Sequence, residues 1–141
     1  MIDLSCLRQE RCVERNDPLS KVMIVDDDLT TVKLVQMLLE MEGFQVAVSA
    51  RGGDVVSLAS SFQPDLFLMD YHLADMDGVT VLRDLRAGAA DGAFIRTPVV
   101  VASGLDVEDE VLEAGANAFL VKPFDPSSLT DLFNQLIAES R

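Results

Sequence analysis

Four short apolar runs in this sequence each end on a residue that can do chemistry. Asp26, Asp27 and Asp28 follow Val22-Met23-Ile24-Val25, Asp70 follows Leu66-Phe67-Leu68-Met69, Ser103 follows Pro98-Val99-Val100-Val101-Ala102, and Lys122, with Pro123 behind it, follows Ala118-Phe119-Leu120-Val121. Carboxylates brought within a few ångström repel one another and raise their pKa values unless a cation or an ammonium neutralises them. If these segments converge, something positive must join them. The acids are not accompanied by histidine or cysteine at metal-ligand spacing, so the donors are oxygens alone and a hard cation is favoured. A small site that keeps several waters suits Mg2+ better than an all-protein Ca2+ cage, with Mn2+ as the alternative ion. Lys122 supplies a second positive charge. A carboxylate beside such a cation, an ammonium and a hydroxyl has what phosphoryl transfer needs: a nucleophile, charge neutralisation and a donor to the equatorial oxygens. The residues read as an aspartyl phosphate site.

The elements that must position them follow from the pattern around them. From Lys21 onward, apolar runs alternate with amphipathic stretches through five rounds, an α/β rhythm. Runs apolar at every position are expected of strands buried on both faces, whereas Val46 to Val48 is weaker and belongs near an edge. Between them, Leu34, Val35, Leu38 and Met41 repeat on a helical face, as do Val55, Leu58, Ala59 and Phe62, then Leu82 and Leu85, then Val107, Val111 and Leu112. The last helix is the clearest: Asp125 as N-cap, Pro126 at its first position, then Leu129, Leu132, Phe133, Leu136 and Ile137 on one stripe. Methionines such as Met37, Met41 and Met69 read as packing. Right-handed crossovers put helices on both faces of a parallel sheet, and ligands then sit outside the carboxyl ends of the strands, where the polar residues collect.

Composition bounds the rest. With 141 residues and 49% hydrophobic positions, one domain with a real core is expected. Eleven lysines and arginines against 24 acids, a formal charge of -13, argue against a surface for nucleic-acid phosphates or anionic lipid. No apolar run approaches a bilayer span and no charged-then-apolar leader is evident, so a soluble, cytoplasmic protein is expected. Residues 1–20 read as an N-terminal extension of mixed sign ending at Asp17-Pro18, with Leu4 and Leu7 at helical spacing and a frayed terminus preferred over a docking helix. Cys6 and Cys12 read as free thiols. The domain proper is residues 21–141.

Four segments, in order, carry a resemblance: Val25-Asp26-Asp27-Asp28, the stretch from Leu68 through Asp70-Tyr71-His72-Leu73-Ala74-Asp75-Met76-Asp77 to Gly78, Val101-Ala102-Ser103-Gly104, and Ala114 through Phe119 to Lys122-Pro123-Phe124. Together they closely resemble a bacterial two-component response-regulator receiver domain, from about Lys21 to the C-terminus. The resemblance implies a flavodoxin-like doubly wound sheet of five parallel strands, order 2-1-3-4-5, with five helices. It implies that Asp70 is the phosphoacceptor, attacking a phosphohistidine on a sensor histidine kinase or histidine phosphotransfer protein. Asp27 would ligate Mg2+ directly and Asp26 mostly through water, with Asp70 and the backbone carbonyl of His72 completing the protein ligands. Lys122 would pair with Asp70 and then with the phosphoryl group, and its bond to Pro123 would be cis. Ser103 would donate to a phosphoryl oxygen once its loop moves inward, with the rotamer of Phe119 following. Asp28 is read as a helix cap, and the ring of His72 as shaping the rim rather than acting as a base.

The chain also departs from the family pattern. Gly104 stands where alanine is frequent and Ala74 where proline is frequent; small residues there would open the phosphoryl group to water, whereas the bulk of His72 would obstruct it. Ser103 to Gly115 is shorter than usual by roughly one helical turn, and Ala87 to Thr97 is longer, so a stunted or remodelled fourth helix is expected. The expected function is a self-phosphorylating and self-dephosphorylating switch rather than a turnover enzyme. Its output would be a downstream effector protein or domain, reached in a separate chain or in a longer protein from which this receiver is excised; dimerisation is a further use of the same surface. The alternatives are a degenerate receiver serving as a constitutive interaction module, and a small Mg2+-dependent aspartate-nucleophile phosphatase. The latter usually carries a second acid two residues after the nucleophile, where His72 stands.

Overall fold

Strands β1 (Lys21–Val25), β2 (Gln45–Ser49), β3 (Leu66–Asp70), β4 (Val99–Ser103) and β5 (Ala118–Val121) form one parallel sheet in the order β2-β1-β3-β4-β5. The structure is a computed structural model and describes residues 20–140; the readings made on residues 1–19, including Cys6 and Cys12, lie outside the described residues. The register aligns the carboxyl ends: Val25 pairs with Ser49 and Met69, Asp70 with Ala102, and Ser103 with Val121. Four sequence-distant segments thus finish on one rim.

Alternation along the strands divides the core into two layers. Met23, Val25, Phe67, Met69, Val99 and Val101 pack against α2 (Val55–Phe62), α3 (Gly78–Arg86) and α4 (Glu108–Glu113). Val22, Ile24, Leu66, Leu68 and Val100 pack against α1 (Leu29–Met41) and α5 (Leu129–Ser140). Burial on both faces is why β1, β3 and β4 are apolar apart from their terminal residues Lys21, Asp70 and Ser103. The weaker β2 lies at an edge, as its composition suggests, and β5 forms the other edge.

The helical faces differ from expectation in one respect. α1 buries Val32, Val35 and Leu39, while Leu34, Met37 and Met41 are exposed (47%, 54% and 74%) and Leu38 is half-buried. At about 100° per residue, Leu34 and Met41 lie on the flank of the stripe centred near Val35. The helix is apolar around most of its circumference, and only the part facing the sheet can be covered. Met37 and Met41 are therefore not packing residues, whereas Met69 is fully buried. Leu58 and Leu112 also turn out exposed, at the margins of α2 and α4. α5 buries Leu129, Phe133 and Ile137 behind a short 3-10 turn, Pro126–Ser128, capped by Asp125 through the Ser127 N–H at 3.0 Å.

The fourth helix is short, with six residues, and the connection before β4 is built rather than slack. Phe94 from that connection is buried edge-on to Phe67, with ring centroids 5.5 Å apart. The Arg86 guanidinium donates to the carbonyls of Phe94 (3.0 Å), Thr97 (2.7 Å) and Gly115 (3.0 Å) and to Asn117 Oδ1 (2.9 Å), joining the connection to the α4–β5 turn. Among the described residues, no helix is long and apolar enough to cross a membrane.

Candidate functional site

At the end of β1 the chain turns into α1 through three consecutive aspartates with different surroundings. The Asp26 N–H donates to the Ser49 carbonyl at 3.1 Å, prolonging the β1–β2 ladder by one step, and the carboxylate of Asp26 accepts from the Asp28 N–H at 2.9 Å. Asp28 caps α1, accepting from the Thr30 N–H at 3.2 Å and the Thr31 hydroxyl at 2.8 Å. The Thr31 and Thr30 hydrogen bonds hold its carboxyl below the ordinary value, so Asp28 serves as the cap it was read as. Asp27, in the same turn, is exposed.

Asp26, Asp27 and Asp70 each offer a carboxylate oxygen, and these atoms lie within 4.8 Å of one another. Lys122 reaches them from the end of β5, with Nζ 3.1 Å from Asp70 Oδ1 and 3.8 Å from Asp26 Oδ2, and its bond to Pro123 is cis. One ammonium does not neutralise three carboxylates. Asp26, only 6% exposed, shows the consequence: burial, followed by the Asp70 charge, outweighs the Asp28 N–H and Lys122 and pushes its pKa up to about 6. An oxygen-only donor set with excess negative charge fits a hard divalent cation.

The loop after Asp70 is shaped by close backbone approach. The Tyr71 N–H donates to the Ala102 carbonyl at 2.9 Å, and the Gly78 N–H to the Tyr71 carbonyl at 2.7 Å. A Cβ at Gly78 would collide with the Asp70 carbonyl oxygen, so only glycine lets α3 begin there. His72 forms an antiparallel bridge with Asp77 whose hydrogen bonds come from its neighbours, Leu73 to Met76 and Gly78 to Tyr71. Its ring is exposed and edge-on to Tyr71, centroids 4.7 Å apart.

The remaining expected residues lie nearby without closing on Asp70. Ser103, 1% exposed, ends β4; its hydroxyl accepts from the Leu105 N–H at 3.0 Å, and its carbonyl accepts from the Lys122 N–H at 2.9 Å. The hydroxyl is therefore engaged in its own loop. It does not line the cleft of Asp26, Thr31, Asp70, Ala102, Lys122 and Phe124. Phe119 on β5 pairs in register with Val101 and packs, half-buried, on the α2–α3–α4 layer.

Three residues were missed in reading the sequence. Tyr71 donates its hydroxyl to Glu110 of α4 at 2.8 Å, Asp75 accepts from the N–H groups of Gly52 and Gly53, and Arg86 ties two loops together. The adjacent glycines ahead of α2 were the available signal for Asp75; Arg86 and Tyr71 carried none.

The sequence profile of the response regulator receiver domain matches residues 22–134. The cell cycle transcriptional regulator CtrA of Caulobacter vibrioides is 31% identical over 124 residues, 86% of this chain and 52% of the relative. The chain thus spans about half the length of the curated relatives it matches. Among solved structures, a Francisella response regulator receiver domain superposes with a TM-score of 0.78 at 27% identity, covering 86% of this chain and 99% of that one. The receiver domain of a sensor histidine kinase from Pseudomonas aeruginosa, solved with a magnesium ion coordinated in its active site cleft, gives a TM-score of 0.75 at 27% identity with the same coverage.

Proposed function

The chain belongs to the response regulator receiver domain family, and from that premise we propose that it is a phosphorylation-driven signalling switch with Asp70 as phosphoacceptor. The observation that carries this reading is Lys122 Nζ at 3.1 Å from Asp70 Oδ1, with oxygens of Asp26 and Asp27 gathered beside it. A carboxylate oxygen of Asp70 attacks phosphorus in a phosphohistidine of a histidine kinase or phosphotransfer protein. The new O–P bond forms as the P–N bond to imidazole breaks. Lys122 moves its charge from the carboxylate to the phosphoryl oxygens. Ser103 gives up the Leu105 N–H and turns its hydroxyl toward the same oxygens, and Phe119 and α4 adjust to the loop. Mg2+, or Mn2+, would be held by Asp26, Asp27, Asp70 and the His72 carbonyl and would neutralise the oxygens of the incoming group.

Partner docking is supported by α1, whose N-terminus abuts the site and whose exposed Leu29, Leu34, Met37 and Met41 offer apolar surface to a protein. We assign the output to protein contacts and the location to the cytoplasm. No nucleic-acid contact is assigned to this domain, whose excess of acids repels phosphates.

The test is intact mass after acetyl phosphate with Mg2+. One phosphate adduct, absent in Asp70→Asn, supports the switch; no adduct under any condition overturns it. One observation favours a second reading, a constitutive interaction module: the Ser103 hydroxyl is already satisfied by Leu105 beside a six-residue α4. Wild type that takes phosphate with no accompanying change at Phe119 would select that reading.

A further inference from the structure

The loop that carries His72 is anchored from outside by one carboxylate. Asp75 accepts the Gly52 N–H at Oδ1 and the Gly53 N–H at Oδ2, both at 2.9 Å, spanning two consecutive donors of the 3-10 turn, Gly52–Asp54, that leads into α2. Such donors at a helical start have no partner within the helix and attract an anion; here the protein supplies its own. Both glycines matter to the fit. A Cβ at Gly52 would come within 2.6 Å of the Met76 side chain and 2.9 Å of Val81, and one at Gly53 within 3.3 Å of Asp75 Oδ2.

Elsewhere the loop is fastened near its ends or to itself. The Tyr71 N–H is bound by Ala102, the Tyr71 hydroxyl by Glu110, and Leu73 and Gly78 bond within the loop. Among the described residues, Asp75 alone makes side-chain hydrogen bonds from the segment His72 to Asp77 to another element. The His72–Asp77 bridge transmits that anchorage to His72, on the opposite limb of the turn.

We propose that Asp75 is a positioning residue for the metal: by clamping the loop to the first turn of α2, it holds the His72 carbonyl where the cation needs it before the cation arrives. The inference rests on the functional reading above and extends it to a residue that touches neither metal nor phosphate. A carbonyl free to wander must be ordered on binding, and that cost falls on metal affinity rather than on the phosphoryl chemistry once metal is saturating.

The experiment is calorimetric titration of Mg2+ into the full chain without phosphodonor, for wild type, Asp75→Ala and Asp75→Asn. Roughly tenfold weaker Mg2+ binding is expected in Asp75→Ala, with a smaller loss in Asp75→Asn, which keeps one acceptor. Acetyl phosphate labelling of Asp70 should then show its half-saturating Mg2+ raised to match, with the plateau rate at saturating Mg2+ unchanged. Wild-type Mg2+ affinity in either folded variant overturns the proposal, and so does a reduced plateau rate, which would place Asp75 in the chemistry. Should Asp75→Ala fail to fold, Asp75→Asn decides. Wild type that neither binds Mg2+ nor accepts phosphate would instead sink the functional reading beneath it.

Discussion

On the β1 and β3 side of the rim, the acids and their loops are tied to backbone: Asp26 by Asp28, Asp28 by Thr30, Asp75 by Gly52 and Gly53, and Gly78 close against the Asp70 carbonyl. On the β4 and β5 side, α4 has six residues, β5 is a four-residue edge strand, the Ser103 hydroxyl has only the Leu105 N–H among the described residues, and a Cβ at Gly104 would meet nothing within 4 Å. Tyr71 to Glu110 is the side-chain hydrogen bond that crosses from the acceptor loop to α4. Ligands for an ion work best when fixed beforehand, whereas a switch must be drawn from elements of low local stability. On the proposed reading, the two requirements fall on opposite sides of Asp70. The sides also differ in charge: residues 104–140 hold eight acids and one base, Lys122, while residues 20–103 hold twelve acids and six bases.

The largest effect expected from this contrast is on the ion. Asp27→Asn should weaken Mg2+ binding by on the order of a hundredfold, while Ser103→Ala and Lys122→Ala leave it within a few-fold; calorimetry reads both. Lys122→Ala should instead uncouple phosphorylation from change at Phe119, visible in the NMR shifts of that ring. Equal losses of Mg2+ binding across these variants would erase the division.

Next in size is a pH effect. Without metal, Asp26 in the folded chain binds its proton below about 6, whereas in the unfolded chain it does so near 3.8. The folded state holds more protons between those values, so this group's contribution is complete below the lower one and is lost as pH rises through about 6. Urea unfolding in chelator should show wild type gaining stability relative to Asp26→Asn as pH falls from 7 to 4.5, by on the order of 2 kcal/mol. Mg2+ competes with the proton and should remove that slope.

Smaller still is the cap. Asp28→Ala should lower the melting temperature by a few degrees, since the Thr30 N–H and Thr31 hydroxyl lose their acceptor, with Mg2+ affinity changed less than in Asp27→Asn. The smallest effect is on the loose side: Glu110→Gln should speed amide exchange across α4 while leaving exchange in β1 and β3 unaltered.

The strands and the rim were legible because burial on both faces of a sheet demands unbroken apolar runs, and polar residues directly behind them stand out. That logic located Asp26, Asp27, Asp70, Ser103 and Lys122 and placed β2 at an edge. The phase of α1 was not legible: with Leu29, Val32, Leu34, Val35, Met37, Leu38, Leu39 and Met41 in thirteen residues, periodicity alone does not select the covered third. Asp75 and Arg86 were invisible for a different reason. Their partners are backbone groups, which every residue type carries, so no pattern at Gly115 or Thr97 announces an arginine. The state of the Ser103 hydroxyl depends on a loop conformation, and spacing does not encode it.

Tyr71 has a practical consequence. The chain contains one tyrosine and no tryptophan, so emission excited beyond the phenylalanine band comes from a single ring, adjacent to Asp70 and with its hydroxyl on a carboxylate of α4. A carboxylate acceptor quenches tyrosine fluorescence, and parting from Glu110 would brighten it. The contact between the loop after Asp70 and α4 thus carries its own lamp, and if the proposed switch parts it, unlabelled protein in a cuvette would report the change.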